Sequence, residues 1–198
     1  MAEELLLGAV WEVIKRVEPG RRESMAIVLG ADNAIDGCKE GYWKEVVANG
    51  PLGASPLAFP YTSANAVTAQ ATIAFGIRGE SATIVNGPLS FFNAAAYGFR
   101  LIANGIASEA LAGGFSEGGA FAMTMTSRPD DADGCRELVE VREDGAVATA
   151  YAPVTSIGES FHIMASALES AGTIIKAVDK KGLNMVVIEV TCNADKRD

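Results

Sequence analysis

Histidine is almost missing from this chain, which has only His162 among its 198 residues. A serine nucleophile needs a base, and His162 is the only imidazole available to supply one. Cysteine is also scarce. Cys38, Cys135 and Cys192 are widely spaced and odd in number, so neither a disulfide framework nor a zinc pattern appears, and a reducing cytoplasm is expected. No apolar run approaches the roughly 20 residues that cross a bilayer. The opening MAEELLLGAV places acidic rather than basic residues before its apolar run, unlike a secretory signal. Lys and Arg total 16 against 25 Asp and Glu, a net charge of −9. That balance disfavours nucleic acid and anionic membranes as partners. The phosphate-cradle spacings G-x-G-x-x-G and Gly-Lys-Ser/Thr are absent, so Gly113-Gly114 and Gly118-Gly119 are read as packing glycines.

Apolar residues, by contrast, are plentiful. They make up 49% of the chain, and mean hydropathy is +0.20, high for a soluble monomer. Extra buried interface, and hence an oligomer, is expected. The length suits one domain, residues 1–198, with a real core.

Leu6, Val10, Val13 and Val17 recur at helical spacing over residues 3–17, with Pro19-Gly20 as the stop. Residues 25–29 (MAIVL) predict a buried strand, and residues 32–37 a polar turn. A short helix is expected over 40–48. Pro56 and Pro60 force an extended approach to a helix at about 64–75, capped by Thr62 or Ser63. Residues 82–86, with Thr83, Ile84 and Val85, read as a strand ended by Gly87-Pro88. Ser90 is placed to cap a helix running to about Asn104, and Gly105 to end it. Residues 109–113 are an apolar run of the kind a buried parallel strand needs.

Residues 119–126 and 137–143 also predict strands, with a turn-rich loop, residues 127–134, between them. Asp144-Gly145 is a hairpin signal that pairs residues 146–151 antiparallel with 137–143. A small-residue helix opens near Gly158 in TSIGESFHIMASALESAGTIIKAV. The last strand is residues 184–191, and residues 193–198 form a charged tail.

The central stretch, GESATIVNGPLSFFNAAAYGFRLIANGIASEALAGGFSEGG, carries G-x-S-x-T-I, a turn, a small-residue helix ending F-R-L-I-x-x-G, then A-L-A-G-G-F-S-E. This pattern resembles the β-ketoacyl carrier-protein synthases, which have the thiolase fold. Two further segments match in the same order: GASPLAFPYTSANA before the central stretch, and the Gly158 segment after it. The resemblance covers about two thirds of the chain. It implies an α/β fold of the thiolase-like layered kind, shortened, with a mixed five-stranded sheet or sheets and small-residue helices between. The Ala-rich helices at 64–75 and after Ser90 are expected side by side in its central layer.

The family places its acyl-accepting cysteine at the tip of the turn. Ungapped counting from Gly79 forward and from Arg100 backward puts Pro88 there. Proline offers neither a nucleophile nor an N–H for an oxyanion hole. One family histidine corresponds to Glu159, and the region of the other has no counterpart. The resemblance therefore implies no catalytic residue at the degenerate positions Pro88 and Glu159.

Ser90, the hydroxyl near the turn, and His162 are the remaining candidates. Glu159 and His162 lie three apart on one helix face, but di-metal sites use two such pairs with further carboxylates, so neither metal nor cofactor is expected. Phe91 and Phe92 replace small residues where the family lines its acyl tunnel, either plugging it or forming ordinary core. Because family members pair through the strand at 82–86, Thr83, Ile84 and Val85 are expected at a dimer interface. That strand has no charge, proline or lysine to blunt an edge. Thr83 and Val85 are expected on one face and Ile84 on the other.

The first reading is a non-catalytic subunit like the chain-length factors of fatty-acid or polyketide pathways, shaping or stabilising an active ketosynthase. An acyltransferase or hydrolase using Ser90 or another displaced nucleophile is the second, and a homodimeric scaffold without acyl chemistry the third. The implied partners are a second copy or an active ketosynthase, with an acyl carrier protein as a further one. Lys15-Arg16, Arg21-Arg22 and Lys180-Lys181 are the basic pairs available to meet such an acidic carrier.

Overall fold

The computed structural model describes residues 2–33, 35–116, 119–127, 136–140, 151–154, 156–169, 173–179 and 185–192. Helix α1 (Ala2–Ile14) leads through a single turn, α2 (Pro19–Arg22), into strand β1 (Ala26–Ala31). Helix α3 (Asp36–Asn49), a 3-10 turn (Phe59–Thr62) and α4 (Asn65–Phe75) precede β2 (Ser81–Val85). A second 3-10 turn (Gly87–Leu89) runs directly into α5 (Ser90–Ala103), followed by β3 (Glu109–Ser116) and β4 (Gly119–Thr126). Then come β5 (Arg136–Glu140), β6 (Tyr151–Val154), α6 (Ile157–Glu169), β7 (Thr173–Asp179) and β8 (Met185–Cys192).

The strands make two four-stranded mixed sheets, ordered β2-β1-β3-β4 and β5-β8-β7-β6. In the first, β1 is parallel to both β2 and β3, and β4 returns antiparallel to β3. β1 and most of β3 are buried, as the continuous apolar runs predict. Alternation along these strands sorts the helices by face. Ile27, Leu29, Leu111 and Phe115 pack with Leu6, Val10 and Ile14 of α1 and with Val67 and Ala71 of α4. Ala26, Val28 and Ala110 point the other way, onto Ala94 and Leu101 of α5. Helix α6 lies beside α5 on that second face, and the second sheet packs against α5 and α6. The layers are thus α1 and α4, first sheet, α5 and α6, second sheet.

Several expectations change. The central-layer companion of α5 is α6, not the Ala-rich α4, because α4 seats Val67 and Ala71 on the opposite face of the sheet. Helix α1 buries Leu6, Val10 and Ile14 completely, whereas Val13 and Val17 sit at the margin of that cluster. Pro19 opens a further helical turn instead of only stopping one, as its fixed φ and missing N–H allow. Helix α3 is longer than expected and starts at Asp36. Neither Thr62 nor Ser63 caps α4: Thr62 Oγ1 donates back to the Phe59 carbonyl (2.7 Å), and Ser63 Oγ is turned to the Asn65 side chain. Each described sheet has four strands, not five.

The pairing expected between Tyr151 and the strand at 137–143 does not form. β5 pairs with β8, and Tyr151 lies beside Lys176 of β7, a strand the sequence reading passed over. The Asp144-Gly145 turn, residues 128–135, Lys180-Lys181 and residues 193–198 lie outside the described residues. Among the described residues, no helix is long and apolar enough to cross a membrane.

Glu109 opens β3 and is only 4% exposed. Burying a carboxylate is costly unless a cation accompanies it, and Arg21, from the turn between α1 and β1, supplies one. Removing the cation alone strands the charge. Arg21→Met is expected to destabilise the fold by about 3–5 kcal/mol in denaturant titration, with Arg21→Met/Glu109→Leu recovering most of that loss. A neutral Arg21→Met would show that Glu109 is held by something else.

Candidate functional site

The parallel strands β1 and β2 end at the same edge of the sheet, and the turn from β2 into α5 crosses that edge. Gly87 takes a left-handed φ of 52°, which glycine adopts without the strain a side chain would bring. Pro88 follows at the start of the 3-10 turn. A helix or turn start needs no intrahelical partner for its first N–H groups, so proline fits there at no cost in hydrogen bonds. Gly30 of β1 faces the turn. A Cβ at Gly30 would collide with the Ser90 backbone, so the lack of a side chain there lets the start of α5 rest on the strand.

Ser90 does not cap α5. It is the first helical residue, fully buried, and its hydroxyl turns back into the turn. The Ser90 oxygen accepts the Asn86 N–H (2.8 Å), and its one hydrogen is shared between the carbonyls of Gly87 (2.7 Å) and Ala31 (2.9 Å). Those bonds tie β1, the end of β2 and the turn together. At its other end α5 stops as expected. Gly105 has φ 69°. Its N–H reaches the Ile102 carbonyl, and the Ile106 N–H reaches that of Leu101, both at 2.9 Å, the bonding of a Schellman motif.

Helix α6 packs against the turn. Ser160 Oγ donates to the Pro88 carbonyl (2.5 Å) and is completely buried. Glu159, its neighbour, occupies the third position of α6, where its N–H donates to Ser156 Oγ (3.2 Å). Ser156-x-x-Glu159 is the capping-box pattern, and a carboxylate in the first helical turn is favourable there. His162 is solvent-exposed and lies edge-on to Phe161, with ring centroids 6.1 Å apart. Among the described residues no group of three or more His, Cys, Asp and Glu is placed to hold a metal.

Beneath the turn the space is aromatic. Phe91 and Phe92 are fully buried. Phe91 meets Phe121 edge-to-face at 4.9 Å and Phe161 at 5.7 Å, and Phe121 stacks on Phe161 at 4.4 Å. Gly114 makes room for this cluster, since a Cβ there would come within 2.6 Å of the Phe121 ring. That is the packing role expected of the Gly113-Gly114 pair. Sequence reading missed Ser160, Phe121 and Phe161. The available signal was the period-two alternation of Phe121, Met123 and Met125 along β4, which places all three on one face.

Of the basic pairs, Lys15, Arg21 and Arg22 are engaged within the chain. Lys15 is bonded to Glu12, Arg21 to Glu109, and Arg22 Nε donates to the Val17 carbonyl (2.9 Å). On β2, Thr83 Oγ1 meets Thr68 Oγ1 of α4 (2.5 Å), while Ile84 packs on the α5 face. The two face opposite ways, as alternation requires.

No family model matches the sequence, and no curated protein does. Solved structures do. The chain is similar to a ketosynthase in complex with its chain length factor from Xenorhabdus doucetiae, with TM-score 0.65 and 13% identity over 96% of this chain and 76% of that one. It is also similar to the ishigamide ketosynthase/chain length factor, with TM-score 0.59 and 17% identity over 85% and 72% of the two chains. β-Ketoacyl carrier-protein synthase III from Thermus thermophilus matches with TM-score 0.52 and 11% identity over 96% and 84%. The chain therefore has the thiolase fold.

One titratable group stands at the same sheet edge. Burial, and then the neighbouring Asp36 carboxylate, raise the pKa of Asp32 above the ordinary value of 3.8. Its anion is less stable in the folded chain than in the unfolded one, so stability is lost as pH rises from 3.8 through the raised folded pKa, and the loss is complete above it. Asp32→Asn is expected to raise the melting temperature at pH 7, with the gain fading as pH falls below 3.8, where both states of the wild type are protonated. Thermal melts across that range check it, and a gain independent of pH would exclude the ionisation account.

Proposed function

We propose that this chain is a non-catalytic ketosynthase-like subunit of a fatty-acid or polyketide type pathway, shaping or stabilising an active ketosynthase partner. The observation that carries the reading is Pro88 at the tip of the strand-to-helix turn, its carbonyl held by Ser160 and the space beneath filled by four phenylalanine rings. Decarboxylative condensation needs a thiolate to hold the acyl group and imidazoles to assist the carbanion and stabilise the enolate. In our reading the turn offers neither, Phe91 and Phe92 plug the acyl route, and the partner carries the chemistry and meets the acyl carrier protein. The buried, fully engaged hydroxyl of Ser90 argues against the alternative of a serine acyltransferase or hydrolase.

The seam with the partner, in this proposal, is β2. It forms one edge of its sheet among the described residues, and Val85 at its end is 67% exposed. An edge that is uncharged and free of proline invites pairing with another strand.

Two outcomes are expected. The purified chain, given acyl and malonyl carrier-protein substrates, releases no more carbon dioxide than its Ser90→Ala variant; release above that control would contradict the reading. Pro88→Cys accepts an acyl group from a reactive thioester at most, and does not condense, because restoring one member of a catalytic unit returns little. Turnover by Pro88→Cys would mean that the assisting groups lie elsewhere in the chain.

A further inference from the structure

Charged residues make up 21% of the chain, yet none lies between Glu45 and Arg78. That stretch holds the end of α3, the link at residues 50–58, the first 3-10 turn and all of α4. Much of it faces outward. Leu52 is fully exposed, Leu57 is 82% exposed and Phe59 60%, and Tyr61 is exposed beside them. Trp43, on α3 just before the stretch, is 64% exposed. Helix α3 packs on the 3-10 turn, where the Tyr42 and Phe59 rings lie 5.7 Å apart. An exposed apolar group of this size, on the order of several hundred Å², marks an interaction site.

The backbone of the link is closed on itself. Pro51, Pro56 and Pro60 have no N–H to satisfy. The Gly53 N–H reaches the Gly50 carbonyl (3.0 Å), Ala58 reaches Ser55 (3.2 Å), Tyr61 reaches Ala58 (3.1 Å) and Ser63 reaches Pro60 (3.2 Å). The charges next to Trp43 are engaged as well. Lys44 pairs with Glu40 (3.4 Å), and Glu45 accepts the Ser55 N–H (3.0 Å). A loop in water needs no such closure, but one that enters a water-poor layer does, because each bare N–H carried there is costly.

We propose that residues 43–61 are an interfacial anchor that seats this protein on a zwitterionic lipid surface. Leu52 and Leu57 enter the acyl boundary, and the rings of Trp43, Phe59 and Tyr61 sit at headgroup level, where aromatic side chains are favoured. Charge selects the kind of lipid. The chain carries −9 overall, which anionic headgroups repel, whereas a neutral headgroup layer meets the uncharged stretch without that cost. Shape favours lipid over a protein partner. A protein needs a matching pocket to bury a leucine as exposed as Leu52, and a fluid acyl layer does not. The inference does not rest on the proposed function.

Trp43 supplies the readout. The chain has two tryptophans, and Trp11 stacks on Phe75, so Trp11→Phe keeps an aromatic ring there and leaves Trp43 as the sole reporter. With phosphatidylcholine vesicles the protein is expected to float with the lipid, and Trp43 to shift blue and be quenched by bromine-labelled acyl chains. Adding phosphatidylglycerol to the vesicles is expected to weaken binding. Leu52→Glu/Leu57→Glu, at exposed positions that do not support the fold, is expected to raise the lipid concentration needed for half-binding at least about tenfold. Ile106→Glu, exposed beyond the end of α5, should leave it unchanged. No flotation and no Trp43 shift with phosphatidylcholine overturns the anchor, as does binding that requires phosphatidylglycerol. Sedimentation velocity without lipid supplies a further check: a dimer in which Trp43 is shielded from acrylamide gives the surface to a protein and overturns the proposal.

Discussion

The contact between the start of α5 and Gly30 of β1 sets the rest of the molecule. A helix can rest its backbone on a strand only where the strand has no side chain, and Gly30 lies beneath Ser90. Once there, the Ser90 hydroxyl binds carbonyls on β1 and in the turn and takes the Asn86 N–H, so one buried group joins both parallel strands and the turn. A buried hydroxyl left without these partners would be costly, so the bonds specify the turn as well as stabilising it. The height of α5 above the sheet then fixes where α6 must lie, and Ser160 reaches the Pro88 carbonyl from there.

Much of the first sheet was legible because its segments obey one local rule each. Continuous apolar runs gave β1 as buried and β3 as buried and parallel, alternation gave the two faces of β2, and Gly105 marked the end of α5. What failed depended on partners distant in sequence. Ala-richness says that a helix can approach closely on several sides, not which neighbour it approaches, so α4 was assigned to the layer that α6 occupies. The Asp144-Gly145 signal could not anticipate that β7 and β8 lie between β5 and β6. Ser90 looked like a cap because its type suits one, yet at the first helical position its oxygen is committed to Asn86 and its hydrogen to carbonyls behind it.

The site shows the same division. The resemblance implies that Pro88 and Glu159 occupy two family positions, but an ungapped count carries no knowledge of distance. In the fold, α6 lies against the turn and Ser160, beside Glu159, is bonded to Pro88. The aromatic filling was only half visible. Phe91 and Phe92 are adjacent in sequence, while Phe121 and Phe161 arrive from β4 and α6. Whether a phenylalanine blocks a route or merely fills a core depends on these neighbours.

The turn also accommodates a proline at its tip. Its geometry is held by Gly30, Gly87, Ser90 and Ser160. The tip residue contributes only its carbonyl, which Pro88 retains, and its N–H falls where a helix start demands no partner. Proline can therefore occupy the tip with no loss of packing and with φ already suited to the turn.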